Sequence, residues 1–338
     1  DEVSMLDGSL FTALEAIGRA ARGACAPFGG LQLVLCGDFF QLPPVSLAYA
    51  GFAFESAAWS SCRVTTHALT EIVRQQGDSA FISLLNELRI GVCSPATTAA
   101  LAACHVGVKP RPSDGIVPTR LYCTNKDVDA ENRTHLLALP GETVPFHATD
   151  VFKREPHTDE GARKLLDALD KKAARTLELK IGAQVMLTKN WADESLVNGS
   201  RGVVVGFRQE RVSEGGRMTF GVAPGEYTCP VVRFDDGATL AVRPASVFQA
   251  LEGGACARTQ LPLKLAWALT VHKSQGMTLS RCELLLEDAF APGQAYVALS
   301  RVTSLAGLWL YGGAITQAVV KAHPAVVHFY RAFGGGGA

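Results

Sequence analysis

PFGGLQLVLCGDFFQLPPV, residues 27–45, decides how the chain is read. Leu31 to Leu35 is an unbroken apolar run, which predicts a buried strand over Leu31–Cys36. The run then meets Gly37, the acid Asp38, Phe39, Phe40, the amide of Gln41, and Pro43 and Pro44. In an open parallel α/β sheet, ligands gather outside the C-terminal ends of the strands. An acid and an amide at a strand end fit that crevice, and two prolines stiffen the exit. A plain strand end with a Pro-rich turn explains the prolines but not Asp38 and Gln41. Phe39 and Phe40 suit base stacking or a core equally well.

Around this stretch, strand and helix patterns alternate. Residues 9–22 read as a helix capped by Ser9 and stopped by Gly23, with Leu10, Leu14, Ile17 and Ala21 on one face. A second helix fits 78–90, capped by Asp78, with Phe81, Leu84, Leu85 and Leu88 inward, and Ser94-Pro95 opens a third. Arg120–Cys123 reads as a short strand, and Asn125 can cap a helix running to Leu139. This alternation predicts parallel α/β layers. Residues 153–176, charged and rich in Ala and Leu, predict an exposed helix. From Leu177 to about Pro262 the pattern turns all-β, with Asn198-Gly199 and Asp236-Gly237 as hairpin turns and a Gly-rich loop over 208–226. The α/β pattern resumes at Leu263.

Composition sets bounds. The 338 residues are 48% hydrophobic and 19% charged, which supplies cores and excludes global disorder. A formal net charge of +0 lends no support to nucleic-acid binding, although a basic groove can be balanced elsewhere. Nine scattered cysteines without a CxxC pair argue against a zinc site and read as reduced, intracellular thiols. No apolar run is long enough to span a bilayer. Asp1 rather than Met comes first, so further residues are expected upstream and targeting is unreadable.

The remaining chemistry lies in short segments. Asp1-Glu2 on its own is an ordinary acidic pair, but in a phosphate-hydrolysing site an acid holds Mg²⁺ and a neighbouring Glu orients water. With Asp1 and Cys36 on neighbouring parallel strands, Asp38 and Gln41 would face a γ-phosphate beside that pair. DEVSM together with residues 27–45 resembles the Pif (petite integration frequency) family of superfamily-1B DNA helicases. LTEIVRQ (69–75), LKLAWALTVHKSQGMTL (263–279) and GQAYVALSRVTSL (293–305) are similar to that family's fourth, fifth and sixth motifs, in order and spread over almost the whole chain.

The resemblance implies RecA-like P-loop NTPase lobes, the first incomplete, with a small SH3-like β-barrel inserted in the second. The expected divisions are 1–66 for the rest of the first lobe, 67–118 for a connecting helical segment, 119–176 and 263–333 for the second lobe, 177–262 for the insertion and 334–338 for a flexible tail. Asp1 would hold Mg²⁺, with Asp1, Glu2, Gln41, Arg74 and Arg301 serving ATP hydrolysis. Arg74 and Arg301 would be arginine fingers, since a guanidinium is planar, always charged and bidentate. A strand-end Arg74 can also simply form an ion pair. Asp38, Gln275 and Gly276 would lie near the nucleotide. Thr270, His272, Lys273 and Ser274 would line the single-strand path, where phosphate contacts position without reading sequence. Thr124, Asn125 and Asn132 would touch DNA backbone, although capping explains Asn125 as well.

The implied activity is ATP-dependent 5′-to-3′ translocation on single-stranded DNA, with unwinding of forked or structured DNA, G-quadruplexes and RNA–DNA hybrids. The implied roles are replication, recombination, repair of DNA damage and telomere maintenance, by a monomer in the nucleus, with the mitochondrion as alternative and a bacterial cytoplasm left open. No membrane is implied. No G-x-x-x-x-G-K-[ST] occurs in the 338 residues. The chain as it stands is therefore expected to be an inactive fragment that begins at the second motif. Two other readings compete: a single-strand-binding protein without turnover, and a transposon-borne helicase.

Overall fold

The computed structural model describes residues 1–44, 51–123, 127–191, 196–212, 222–251, 253–274, 276–286 and 291–333. Helix α1, Gly8–Arg22, starts at Asp7, whose side chain accepts from the Leu10 amide, and ends on Gly23 in the left-handed region. The cap is Asp7 rather than Ser9, and the buried face is not the expected one. Phe11 and Glu15 point inward, onto Phe28, while Leu10, Leu14 and Ile17 stay exposed. Both sides of this helix carry apolar residues, so periodicity alone could not choose between them.

The apolar run 31–35 is extended but forms no strand. A strand needs a hydrogen-bonded neighbour. Here the Val3 amide donates to the Cys36 carbonyl at 3.0 Å, so the start of the chain lies beside Cys36, but neither segment is a strand and the expected parallel pairing of the two is not formed. Leu31, Leu33 and Val34 face solvent, as do Leu69 and Val73 in the unpaired stretch 64–73. Helix α2, Ala57–Cys62, closes this N-terminal unit.

Two helices match their sequence signals. Helix α3, Ser79–Arg89, is capped by Asp78 and buries Phe81, Leu84, Leu85 and Leu88. Helix α4, Pro95–Ala102, is capped by Ser94 with Pro95 in its first turn. Strand β1, Thr119–Tyr122, leads to helix α5, Val128–Ala138, whose cap is Asp127.

The β region draws on more than residues 177–262. Strands β2 (Val144–His147) and β3 (Thr149–Arg154) precede helix α6, Asp159–Asp170. That helix is shorter than expected and not free-standing, since Leu165 and Leu169 are fully buried against the sheet. Then come β4 (Thr176–Leu179), β5 (Gln184–Leu187), β6 (Arg201–Val212), β7 (Gly225–Phe234), β8 (Thr239–Ala241), β9 (Ala245–Leu251), β10 (Gly254–Gln260) and β11 (Leu263–Leu265). They form antiparallel sheets ordered β11-β5-β6-β7-β8, β3-β10-β9 and β2-β4. Asp236-Gly237 joins β7 to β8 in a tight turn. Gly199 instead sits in a longer connection, where a Cβ would come 2.5 Å from the Thr278 carbonyl.

A parallel sheet ordered β12-β1-β13-β14 takes strands from both sides of the β region, with β12 Ala268–Thr270, β13 Cys282–Leu285 and β14 Leu308–Tyr311. Helices α7 (Val271–Ser274) and α8 (Gln294–Ser300) follow β12 and β13. This bears out the α/β class. A polar junction locks the β region to it: fully buried Arg201 donates to the carbonyls of Arg281 and Val117, Gln184 bridges Gly115 and Val117, and Arg281 pairs with Asp114. The last helix, α9 (Pro324–Phe333), crosses back to the N-terminal unit. Phe329 and Tyr330 close an aromatic cluster with Phe39, Phe40, Phe54 and Trp59. Among the described residues no helix is long and apolar enough to cross a membrane.

Candidate functional site

Two guanidinia define the site. Arg301 caps the C-terminus of α8 and is 3% exposed. Its Nε donates to the Val297 carbonyl at 3.1 Å and its Nη2 to the Ser300 hydroxyl at 3.0 Å. Arg74 reaches the same turn from the far side, with Nε on Thr278 Oγ1 at 3.0 Å and Nη1 on the Ser300 carbonyl at 3.3 Å. Every one of these acceptors is neutral. Burial and, after it, the neighbouring Arg74 charge together push the Arg301 guanidinium down to about 10. Arg74 is lowered too, chiefly by burial, against the opposing pull of Tyr296 and Glu2. A buried and a half-buried like charge held by neutral acceptors are costly, and such an arrangement suits an anion.

The acidic side lies close by. Glu2, in the left-handed region at φ 56°, bears electrostatically on both Arg74 and Arg301. Asp1 is exposed, and its Oδ1 accepts from the Glu2 amide at 2.9 Å. Among the described residues no three His, Cys, Asp or Glu side chains gather as a metal cage. Mg²⁺ does not need one, since it is held by one or two carboxylates together with phosphates and waters. A lone exposed Asp1 beside an anion seat fits that donor set.

Asp38 is placed differently. Its carboxylate is taken by Arg89, through Nε at 3.0 Å and Nη2 at 2.9 Å, and by the Tyr330 hydroxyl at 3.2 Å. It therefore ties α3 and α9 to the 38–41 turn. Phe39 and Phe40 are each 5% exposed, which settles their open reading in favour of core; Arg89 lies 4.5 Å over the Phe40 ring. Gln41 is half-buried and borders a shallow recess lined also by Phe40, Pro43, Pro292, Gly293 and His323. Gly293, at φ +77°, starts α8 against this turn: a Cβ there would meet the Phe40 and Gln41 carbonyls at 2.4 and 2.6 Å. Gln41 and Arg301 thus stand at opposite ends of one seven-residue helix.

Tyr296, on that helix, packs against both the second-lobe core and the aromatic cluster. Burial and the Asp38 charge raise its phenol to about 12, and burial and Asp38 do the same for Tyr330. A folded-state value above the unfolded one contributes stability below the unfolded value and loses it as pH rises through the folded one. Stability is thus expected to fall between pH 10, the ordinary value, and about 12. In a spectrophotometric titration Tyr296→Phe should remove one of the late-ionising phenols, and an unchanged curve would contradict the placement.

The strand-path residues are less exposed than expected. Thr270 is 6% exposed, and fully buried Ser274 donates its hydroxyl to the Val271 carbonyl at 2.8 Å. His272 and Lys273 belong to α7, but their side chains lie outside what is described, as do Thr124, Asn125 and Gln275 entirely. Gly276 follows in the left-handed region with open space around it. Asn132 is buried and clamps β12, accepting from the Trp267 and Ala268 amides and donating to the Ala268 carbonyl, each at 3.0 Å. Sequence reasoning passed over Gln75, Arg89 and Tyr330. Gln75 could have been noticed as the amide completing LTEIVRQ; nothing local signals the other two.

Residues 1–99 match the PIF1-like helicase family, and residues 166–207 match the DNA helicase Pif1 2B domain. The mouse "ATP-dependent DNA helicase PIF1" is 44% identical over 334 residues, covering 98% of this chain and 47% of its own. The chain thus spans about half the length of the curated relatives it matches. The crystal structure of Pif1 helicase from Candida albicans superposes with a TM-score of 0.71 at 37% identity, covering 99% of this chain and 76% of that one. A Bacteroides Pif1 in complex with ADP-AlF4 gives a TM-score of 0.76 at 25% identity, covering 98% and 74%. With a relative this similar matched over three quarters of its solved length, the chain belongs to the Pif1 helicase family.

Proposed function

We propose that the chain forms part of an ATP-dependent DNA helicase motor that moves 5′-to-3′ on single-stranded DNA. The observation that carries this is the pair of buried Arg301 and half-buried Arg74, whose hydrogen-bond acceptors are all neutral. A protein that only bound strands would have no use for so costly a pair. Phosphoryl transfer spreads negative charge over the γ-phosphate oxygens, and two planar guanidinia fixed at one turn can neutralise it. Gln41 would present its amide to the same phosphate, and Glu2 would orient the attacking water. Asp1 would hold Mg²⁺, which would supply charge neutralisation for the phosphates.

The sequence holds no P-loop, so the remaining phosphate contacts must come from outside these 338 residues. Because α8 runs from the Gln41 turn to Arg301, a change at the phosphate shifts the second lobe as a body. Helix α7 and the β12 end, which carry His272 and Lys273, then move with that lobe along the strand. The expected roles are replication, recombination, repair and telomere maintenance in the nucleus, with the mitochondrion as second reading, by a monomer acting on forked or structured DNA.

The test uses duplexes with a single-stranded tail at either end. The helicase that carries this chain together with a P-loop should unwind only the 5′-tailed substrate, with ATP. The 338-residue chain alone should show no DNA-stimulated ATP turnover. Unwinding from a 3′ tail would overturn the polarity, and turnover by the chain alone would overturn the need for an outside P-loop.

A further inference from the structure

We propose that Gln75 is a positioning residue that locks Arg301 and Arg74 into one unit; the proposal rests on the reading of these arginines as γ-phosphate contacts. Gln75 is 4% exposed and lies 225 residues from its partners. Its Nε2 donates to the Ser300 carbonyl at 3.1 Å and to the Val302 carbonyl at 2.7 Å. Those carbonyls flank Arg301 on either side. The Arg301 carbonyl between them points the other way and accepts from the Leu279 amide at 2.8 Å. Three consecutive carbonyls are therefore held from two directions, by the Leu279 backbone on one side and by the Arg74 and Gln75 side chains on the other, and of these only Gln75 spans both carbonyls that flank Arg301.

The neighbours extend the contact. Arg74, next in sequence, donates to the same Ser300 carbonyl, and Asp78, at the end of the same turn, accepts from the Leu305 amide at 3.0 Å. The 74–78 turn is thus fastened along 300–305. A buried amide proton pair on two carbonyls fixes both distance and rotation, which one bond could not do. Arg301 is a long side chain held only by neutral acceptors, so its head goes where its backbone is aimed. A small turn of residues 300–302 would carry it away from Arg74, and errors of that size are expensive in a preorganised site.

Gln75→Glu replaces the two donated protons with a carboxylate facing two carbonyls. Gln75→Met removes the donors at similar volume and serves if the first variant folds poorly. In the helicase that carries this chain with a P-loop, both are expected to lower kcat for DNA-stimulated ATP hydrolysis about ten- to a hundredfold, with KM for ATP and single-strand affinity little changed. In the 338-residue chain, amide exchange at 301–303 should speed up about tenfold while 282–285 stay protected. Gln75→Asn, which reaches one carbonyl at most, should fall between. Unchanged kcat, or a parallel loss of kcat, strand binding and protection at 282–285, would show a merely structural amide and overturn the proposal. Arg301→Ala is run alongside. If it keeps full turnover, the arginine reading itself fails and the role of Gln75 goes with it. If it loses turnover while Gln75→Glu keeps it, only the positioning role falls.

Discussion

In a helicase that carries this chain together with a P-loop, Arg301→Met should abolish most DNA-stimulated ATP turnover, by about a thousandfold, and at the same time make the protein more stable. The two effects have one cause. Arg301 is a buried cation held by the Val297 carbonyl and the Ser300 hydroxyl, with Arg74 as its nearest charge. In the absence of an anion this arrangement costs free energy, and an apolar side chain of similar length removes that cost. A gain of about 1–2 kcal/mol is expected, at the scale seen when buried charges give way to packed apolar groups. Chemical denaturation beside a turnover assay reads both quantities. A variant that loses activity and also loses stability would mean that Arg301 is a structural residue satisfied by its present partners. Arg301→Lys should not restore turnover, because an ammonium cannot present the planar fork.

The largest loss of stability is expected at Arg258, far from the site. Its side chain is fully buried, and it grips Asp150 with two parallel bonds of 2.7 Å while also reaching Asp170 and the Ala173 carbonyl. One guanidinium thus joins β10, β3 and α6. Removing one partner of such a pair costs about 3–5 kcal/mol where the other is sealed from water. Here the carboxylates remain 27% and 37% exposed and can rehydrate, so Arg258→Met should cost about 2–3 kcal/mol. Denaturant titration measures the total, and amide exchange in α6 should rise first. A loss below about 0.5 kcal/mol would show that the network contributes as little as an exposed pair. Acid should mimic the mutation. The Asp170 carboxyl is held below its ordinary value by the Arg258 and Arg175 guanidinia, against burial, so its share of stability is present above pH 3.8 and fades as pH falls below that.

What could be read from the sequence was the local part. Helices α3 and α4 were legible because Asp78, Ser94 and Pro95 act within one turn, and because Phe81, Leu84, Leu85 and Leu88 repeat at helical spacing. The strand expected at Leu31–Cys36 was not, because an apolar run says what could pair and nothing about whether a partner lies alongside. The buried face of α1 failed for the same reason: only the position of Phe28 decides between Phe11 and Leu14. Arg74 and Arg301 were found through long motifs. Asp38 was found too, but its occupation depends on Arg89 and Tyr330, 51 and 292 residues away. Asn132 was read toward DNA and is spent on β12, a choice made by backbone groups 135 and 136 residues distant.

The return of α9 to the aromatic cluster has a mechanical consequence. The 38–54 segment is held from the C-terminal part of the chain at several points: Phe329 and Tyr330 on Phe39, Phe40 and Phe54, Gly293 on the 40–41 turn, and Tyr296 on the same cluster. A plate pinned at one point spins freely. Pinned at several, it moves only as one piece with what holds it. The N-terminal unit is thereby carried with the start of α8, and a push on either is felt by the other.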